Sequence, residues 1–226
     1  MDSRTSITLT GKAHDWAARA NLEFVTRGTE AAAQGGTTQW LNLGCGLPQE
    51  GVETTLDTAR RFHEDARVAY VDNDPAVTVS GRALLTVPGV SMALHADARH
   101  VDVVLSHVRG LLDVKKPVGI VATALCHVWP NEDDPGGVLR RYMAAFPAGY
   151  LIFSHARDDL LISAYTRPLW QIRSMFLAGL RLLQPGLVEA SDWRPADPIP
   201  RQVGRPHFVA AVAGFGSYAA TAEEAA

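Results

Sequence analysis

The stretch Gln39–Pro48, QWLNLGCGLP, read with Val68–Pro75, VAYVDNDP, decides how the chain folds. The first is a short apolar run ending in Gly44-Cys45-Gly46, the pattern of a buried parallel strand that stops at a turn and lets the backbone approach a ligand. The second is another buried strand, closed by Asp72. An acid that closes the strand after a glycine turn is placed to accept hydrogen bonds from both ribose hydroxyls, so a nucleoside cofactor is expected. A dinucleotide fingerprint needs a third glycine three residues after the second, where this chain has Gln49. That argues against NAD and for S-adenosylmethionine, which has no phosphate and whose methionine part tolerates a looser turn.

Working outward, the segments alternate strand and helix. Residues 10–27 place Ala13, Trp16, Ala17, Ala20 and Phe24 at helical spacing, and residues 31–38 read as a flexible joint. Helices are expected over 50–63, with Pro48 suited to the turn that opens it, and over 74–85, with Pro75 in its first turn. A third strand over 90–96 is closed by Asp97, which either meets the adenine amino group or caps the next segment. Residues 101–112 read as helix. Pro117–Trp129 forms a nearly continuous apolar fourth strand, buried on both faces. Asp134 caps a helix ending at Phe146, and Tyr150–Ala156 is the fifth strand. Residues 158–184 read as helical, Leu180–Trp193 as a strand with a turn at Pro185-Gly186, and Pro206–Gly216 as the last strand, an antiparallel edge. The result is an α/β, Rossmann-like sheet of seven mostly parallel strands with helices on both faces. It divides into an N-terminal helical lid segment (1–37), a core (38–216) and a disordered tail (217–226).

The candidate site follows from that order. In an open parallel sheet the crevice lies at the carboxyl ends of the strands near the switch in strand order, so the first and fourth strands flank it. His127, at the end of the fourth, is expected to act as a general base on an acceptor or to shape the pocket. His155 ends the fifth strand, farther away. Tyr165, Arg167, Trp170 and Arg173 are the side chains of the later insertion with something to offer a ligand. Cys45 and Cys126 are either two small buried residues or neighbours at one pocket.

Composition narrows the partners. The chain has 226 residues, 47% hydrophobic and 20% charged, enough for one good core. A net charge of −3 and the lack of a basic run give no sign of a nucleic-acid partner. No uncharged apolar run approaches the roughly 20 residues of a membrane span, and residues 1–10 lack the apolar centre of a signal peptide, so the cytoplasm is the expected compartment. Two cysteines form neither a disulfide framework nor a zinc site, so no metal is expected.

The runs LNLGCGLP, RVAYVDNDP, ADAR, ALCHVWPNEDDP, YLIFSHA and LRLLQPGLVEASDWRP together resemble the actinobacterial S-adenosyl methyltransferases, formerly a domain of unknown function. The resemblance runs from about residue 11 to 214. It implies a class I methyltransferase fold with S-adenosylmethionine lying across the first two strands. Residue by residue, it implies Gly44, Cys45 and Gly46 along the methionine part, Asp72 on the ribose and Asn73 at the adenine edge. Asp97 and Ala98 would meet the adenine face, and Leu125 to His127 would form the far wall. The segment TGKAHDW implies a lid carrying Lys12, His14 and Trp16, and Asn42 stands where class I enzymes commonly have an acid. The expected activity is methyl transfer to a small-molecule O- or N-acceptor. The alternative is a protein that binds the cofactor as a sensor or uses the sulfonium for another displacement.

Overall fold

The strand order is β3-β2-β1-β4-β5-β8-β6, with the short β7 also paired to β8. As expected, β1 and β4 are neighbours and flank the switch in strand order. The computed structural model describes residues 12–157, 165–196 and 208–220. Its strands are β1 Gln39–Leu43, β2 Arg67–Asp72, β3 Ser91–His95, β4 Val118–Ala122, β5 Ala148–Ala156, β6 Arg181–Leu182, β7 Val188–Glu189 and β8 Phe208–Gly216. Its helices are α1 Lys12–Gln34, α2 Thr55–Arg60, α3 Pro75–Leu84, α4 Val101–Val108, α5 Pro135–Ala144, α6 Leu169–Phe176 and α7 Ser217–Ala220.

Strands β1 to β5 pair in parallel, and β8 enters antiparallel beside β5, with Ala148 opposite Gly216 and Ala156 opposite Phe208. The sheet has eight strands rather than seven. The difference lies in Leu180–Trp193, expected as one strand: the Pro185-Gly186 turn divides it into β6 and β7, each pairing with β8.

Alternation along the strands sends side chains to opposite faces and makes two apolar layers. Leu41, Leu43, Ala69 and Val71 pack with Val104 and Val108 of α4, Leu139 and Tyr142 of α5, and Phe176 of α6. Trp40, Val68 and Tyr70 pack on the other side with Phe24 and Ala32 of α1 and Leu56 and Ala59 of α2. Burying each such large side chain contributes about 1.5–3 kcal/mol. Gly119 is required here by contact: a Cβ at that position would lie 2.5 Å from the indole of Trp40 in the neighbouring strand.

Several boundaries differ from the sequence expectation. Helix α1 runs on to Gln34, so the supposed joint is largely helix, pinned by Arg27, which donates to the carbonyls of Ala190 (2.6 Å) and Trp193 (2.7 Å). The helix expected over 50–63 is only Thr55–Arg60, because Gly51 takes φ +74° and Thr54 forms a capping box with Asp57. Pro48 therefore opens no helix and lies in a long loop. Pro75 does open α3, capped by Asp74, and Asp134 caps α5. The fourth strand stops at Ala122, and Cys126–Val128 is a 3-10 turn. In the stretch expected as helix over 158–184, α6 is confined to Leu169–Phe176 by extended Pro168, while residues 158–164 lie outside the described residues. Of the tail expected to be disordered, Ser217–Ala220 forms a helical turn, with Tyr218 against Tyr150 at 5.1 Å. Among the described residues no helix is long and apolar enough to cross a membrane.

Candidate functional site

A cleft opens at the carboxyl ends of β1 and β2. Its floor is the glycine turn. Gly44 and Gly46 take φ +64° and +65°, a left-handed backbone that turns the chain back toward β2. The turn is fastened there: Gly44 and Cys45 donate their N–H groups to the carbonyl of Val71 at 2.8 and 3.1 Å. Gly46 N–H donates to Oδ2 of Asp72 at 2.9 Å, and Asp74 N–H donates to Oδ1 at 3.0 Å. Each carboxylate oxygen keeps a lone pair for a further donor. A Cβ on Gly46 would meet nothing within 4 Å, so this part of the turn faces open space.

The loop from Leu47 to Thr54 and the start of α2 form one wall, and Leu22 and Val25 of α1 line the cleft as well. Asn42 donates through Nδ2 to Thr55 Oγ1 at 3.0 Å, and Tyr70 Oη accepts the N–H of Leu56 at 3.1 Å, which join this wall to β1 and β2. Burial pushes the Tyr70 phenol up to about 12. Burial, with the charge of Asp72 beside it, likewise pushes the Cys45 thiol up to about 12. Both groups are neutral near pH 7. Cys126 lies in the opposite apolar layer, fully buried, so the cysteines do not share a pocket.

Asn73 follows β2 and Asp97 and Ala98 follow β3, and none of the three lines this cleft. The Asn73 carbonyl accepts from His95 Nε2 at 3.1 Å, and the carbonyl of buried Ala98 accepts from Tyr142 Oη at 2.8 Å. Asp97 caps no helix. Its carboxylate accepts from the backbone N–H of Arg99 (2.9 Å) and from the guanidinium (Nη2 to Oδ2, 2.6 Å), while Arg99 Nη1 reaches Asp133 at 2.6 Å. Burial alone would raise the Asp97 carboxyl, but the hydrogen bonds and charge of Arg99 outweigh it and hold the group below its ordinary value.

The far wall begins at Thr123, which lines the cleft, and Leu125, whose Cδ1 lies 2.6 Å from where a Cβ on Gly44 would be. His127 follows, 2% exposed, its ring between His155 (5.8 Å) and Phe208 (5.6 Å). Burial, aided by the Arg167 cation, pushes its pKa down to about 4. His155 is neutral for the same main reason, and its tautomer is fixed: Nδ1 donates to the Ala156 carbonyl at 2.7 Å while Nε2 accepts from Arg167 Nη1 at 3.0 Å. Arg167 offers nothing to a ligand. Only 2% exposed, it donates to the carbonyls of Cys126 (3.0 Å), Trp129 (2.8 Å) and Tyr165 (2.9 Å) and to Asn131 Oδ1 (2.9 Å). It fastens the segment after β4 to the segment before α6. Tyr165 and Trp170 are exposed, Trp170 at 72%, and neither lines this cleft.

Leu22, Val25, Val52, Thr55, Tyr70 and Thr123 were not picked out from the sequence. Thr55 was legible through the capping-box pattern Thr54-x-x-Asp57, which marks the start of α2 and so a loop before it. The two α1 residues carried no signal beyond helical spacing.

The S-adenosyl methyltransferase family model matches residues 4–219. A DUF574 family protein from Streptomyces avermitilis MA-4680 superposes with a TM-score of 0.80 at 27% identity, over 89% of this chain and 84% of that one. A candidate methyltransferase from Thermobifida fusca YX gives 0.78 at 27% identity, over 90% and 87%. The N-methyltransferase NodS from Bradyrhizobium japonicum WM9 gives 0.58 at 12% identity, over 88% and 97%, a likeness of fold. No curated protein matches at the corresponding stringency. The family match takes in the glycine turn, the acid that holds it and the antiparallel β8 together. On that span this chain belongs to the S-adenosyl methyltransferase family, with a class I fold and S-adenosylmethionine as its cofactor.

Proposed function

We propose that the enzyme methylates an oxygen or nitrogen of a small-molecule acceptor. The observation that supports this reading is the bond from Gly46 N–H to Asp72, which joins the glycine turn that lines the cleft and the acid into one cradle for the methyl donor. S-adenosylmethionine supplies a methyl group already activated by its sulfonium.

The chain's part is binding and orientation. The backbone from Gly44 to Gly46 supports the methionine portion, and the free lone pairs of Asp72 receive the ribose hydroxyls. Asn73, Asp97 and Ala98 flank the adenine, with the Asp97 carboxylate held in place by Arg99. Leu125 closes the far side over Gly44 and excludes water. Leu22 and Val25 make α1 an apolar cover, while the lid residues Lys12 and His14 have side chains outside those described.

His127 belongs to this reading as a buried neutral ring that shapes the wall, not as the base. At 2% exposure it has no open path to an acceptor, and a group titrating near 4 is a weak base at neutral pH. Positioning alone can supply much of the acceleration, on the order of 7–11 kcal/mol for well-oriented reactants. A net charge of −3 favours neutral or cationic small acceptors over a phosphate backbone.

The test is transfer of a labelled methyl group from S-adenosylmethionine to a panel of phenols, aliphatic alcohols and amines, with bulk protein and RNA as comparators. Label in one small-molecule class supports the proposal. Label entering only protein or RNA contradicts it.

A further inference from the structure

A buried chain of hydrogen bonds runs from the N-terminal helix to the wall of the cleft through residues that the reading above does not use. Ala124 lies two residues beyond β4 with φ +51°, a left-handed conformation. For a residue with a Cβ this disfavours the conformer by roughly tenfold. Its backbone N–H is held twice by β5: it donates to Ser154 Oγ at 2.9 Å and to the Ser154 carbonyl at 3.2 Å. The Ser154 hydroxyl, fully buried, then donates its own proton to Oδ1 of Asn21 at 2.5 Å. Asn21 is on α1 and is itself buried. The serine oxygen thus accepts from Ala124 while its one hydrogen goes to the amide oxygen of Asn21.

Each end of this chain adjoins the cleft. Thr123 and Leu125 flank Ala124, and they line the cleft and cover Gly44 respectively. Leu22, next to Asn21, lines the cleft from the side of α1. A relaxed Ala124 would swing both neighbours, since a change of φ at one residue reorients the chain on either side of it. Strain kept at a site needs surroundings that over-determine it, and here a buried serine and a buried asparagine do so.

We infer that Asn21 and Ser154 are positioning residues of the cofactor site: they hold Ala124 in its left-handed conformation and thereby set Thr123 and Leu125 against the glycine turn. The inference rests on the reading of this cleft as the S-adenosylmethionine site. It makes α1 a fixed part of the site's framework, with its register read by the wall through one hydroxyl.

The test is a coupling experiment on the full chain, with S-adenosylhomocysteine affinity measured by calorimetry. Ser154→Ala is expected to weaken binding by roughly five- to tenfold, the effect of one buried hydrogen bond. Ala124→Gly removes the strain, because glycine adopts positive φ freely. In that background Ser154→Ala is expected to weaken binding by no more than about twofold, as the clamp is no longer needed. An equal loss in both backgrounds overturns the inference. So does a fall in melting temperature with affinity unchanged, which marks a merely structural hydroxyl. Should Ser154→Ala fail to fold, Asn21→Ala in the same two backgrounds gives the same comparison. A wild-type chain that does not bind S-adenosylhomocysteine overturns the site reading itself, a result distinct from losses that are merely additive.

Discussion

The backbone N–H of Gly46 donates to Oδ2 of Asp72 at 2.9 Å, so the turn that ends β1 and the acid that ends β2 are held as one unit. The other carboxylate oxygen accepts from Asp74 N–H at 3.0 Å, at the cap of α3. One side chain thus orders the turn and joins it to the cap of the next helix. The fold builds this arrangement from adjacent parallel strands, Leu43 standing opposite Val71 one residue before each motif.

Gly44→Ala is expected to separate binding from stability. Its φ of +64° strains any side chain by about 1–2 kcal/mol, and its Cβ would meet Leu125 Cδ1 at 2.6 Å. Gly51→Ala has the same kind of strain at φ +74° but meets nothing within 4 Å. The two variants should melt roughly 2–8 °C below wild type. Only Gly44→Ala should weaken S-adenosylhomocysteine binding, by at least roughly tenfold, as Leu125 is displaced from the wall. Paired melting curves and calorimetry check this.

Arg167→Lys is expected to destabilise the protein although the charge is kept. A lysine has three donors on one nitrogen and cannot reproduce a planar fork that spans the carbonyls of Cys126 and Trp129, Asn131 and His155. Leaving these buried acceptors short should cost about 3 kcal/mol, or roughly 6–12 °C in melting temperature. Differential scanning calorimetry reads the result, and an unchanged transition would remove Arg167 from its role as the fastener.

Stability is expected to fall with acidification before the carboxylates titrate. His127 and His155 are neutral in the folded chain, with pKa values pushed down to about 4 and about 3, chiefly by burial. An unfolded histidine titrates near 6.5, so below that pH the unfolded state binds more protons. The stability these rings contribute is complete above pH 6.5 and is lost progressively toward pH 4. Each ring adds a slope of up to about 1.4 kcal/mol per pH unit. Urea unfolding at pH 7.5, 6.0 and 5.0 should show the decline, and His127→Gln should make it shallower. Over the same range the methyl-transfer rate should carry no inflection from His127.

Much of the fold was legible because glycine, proline and acid stand where parallel strands end. The neighbouring β1 and β4 and the antiparallel last strand were legible, but β8, expected at the edge, lies between β5 and β6 because both short strands β6 and β7 pair with its other side. The errors came where local pattern and backbone conformation disagree. Residues 50–54 have helical spacing, but Gly51 at positive φ and the Thr54 cap delay the helix until Thr55. Pro117–Trp129 is nearly continuous in apolar residues, yet the backbone leaves the strand at Thr123 so that Ala124 can turn, which hydropathy does not register.

At the site, the sequence located the floor better than the walls. Gly44, Gly46 and Asp72 are contiguous with strand ends and so could be placed by topology alone. His127, expected at the end of β4, lies five residues beyond it, where the 3-10 turn at Cys126–Val128 places it in the core between His155 and Phe208. Leu22 and Val25 reach the cleft, and Asn21 reaches Ser154, through the packing of α1 on the sheet, a long-range relation that no local pattern carries.

The most direct test of the account is calorimetric titration of S-adenosylhomocysteine, with NAD as comparator, into wild type and Asp72→Ala. The account predicts saturable binding to wild type, none for NAD, and a loss of roughly ten- to hundredfold in the variant, the worth of hydrogen bonds to a charged group. Binding that is undiminished in a folded Asp72→Ala protein would contradict the claim that the Gly46–Asp72 unit is the cofactor cradle.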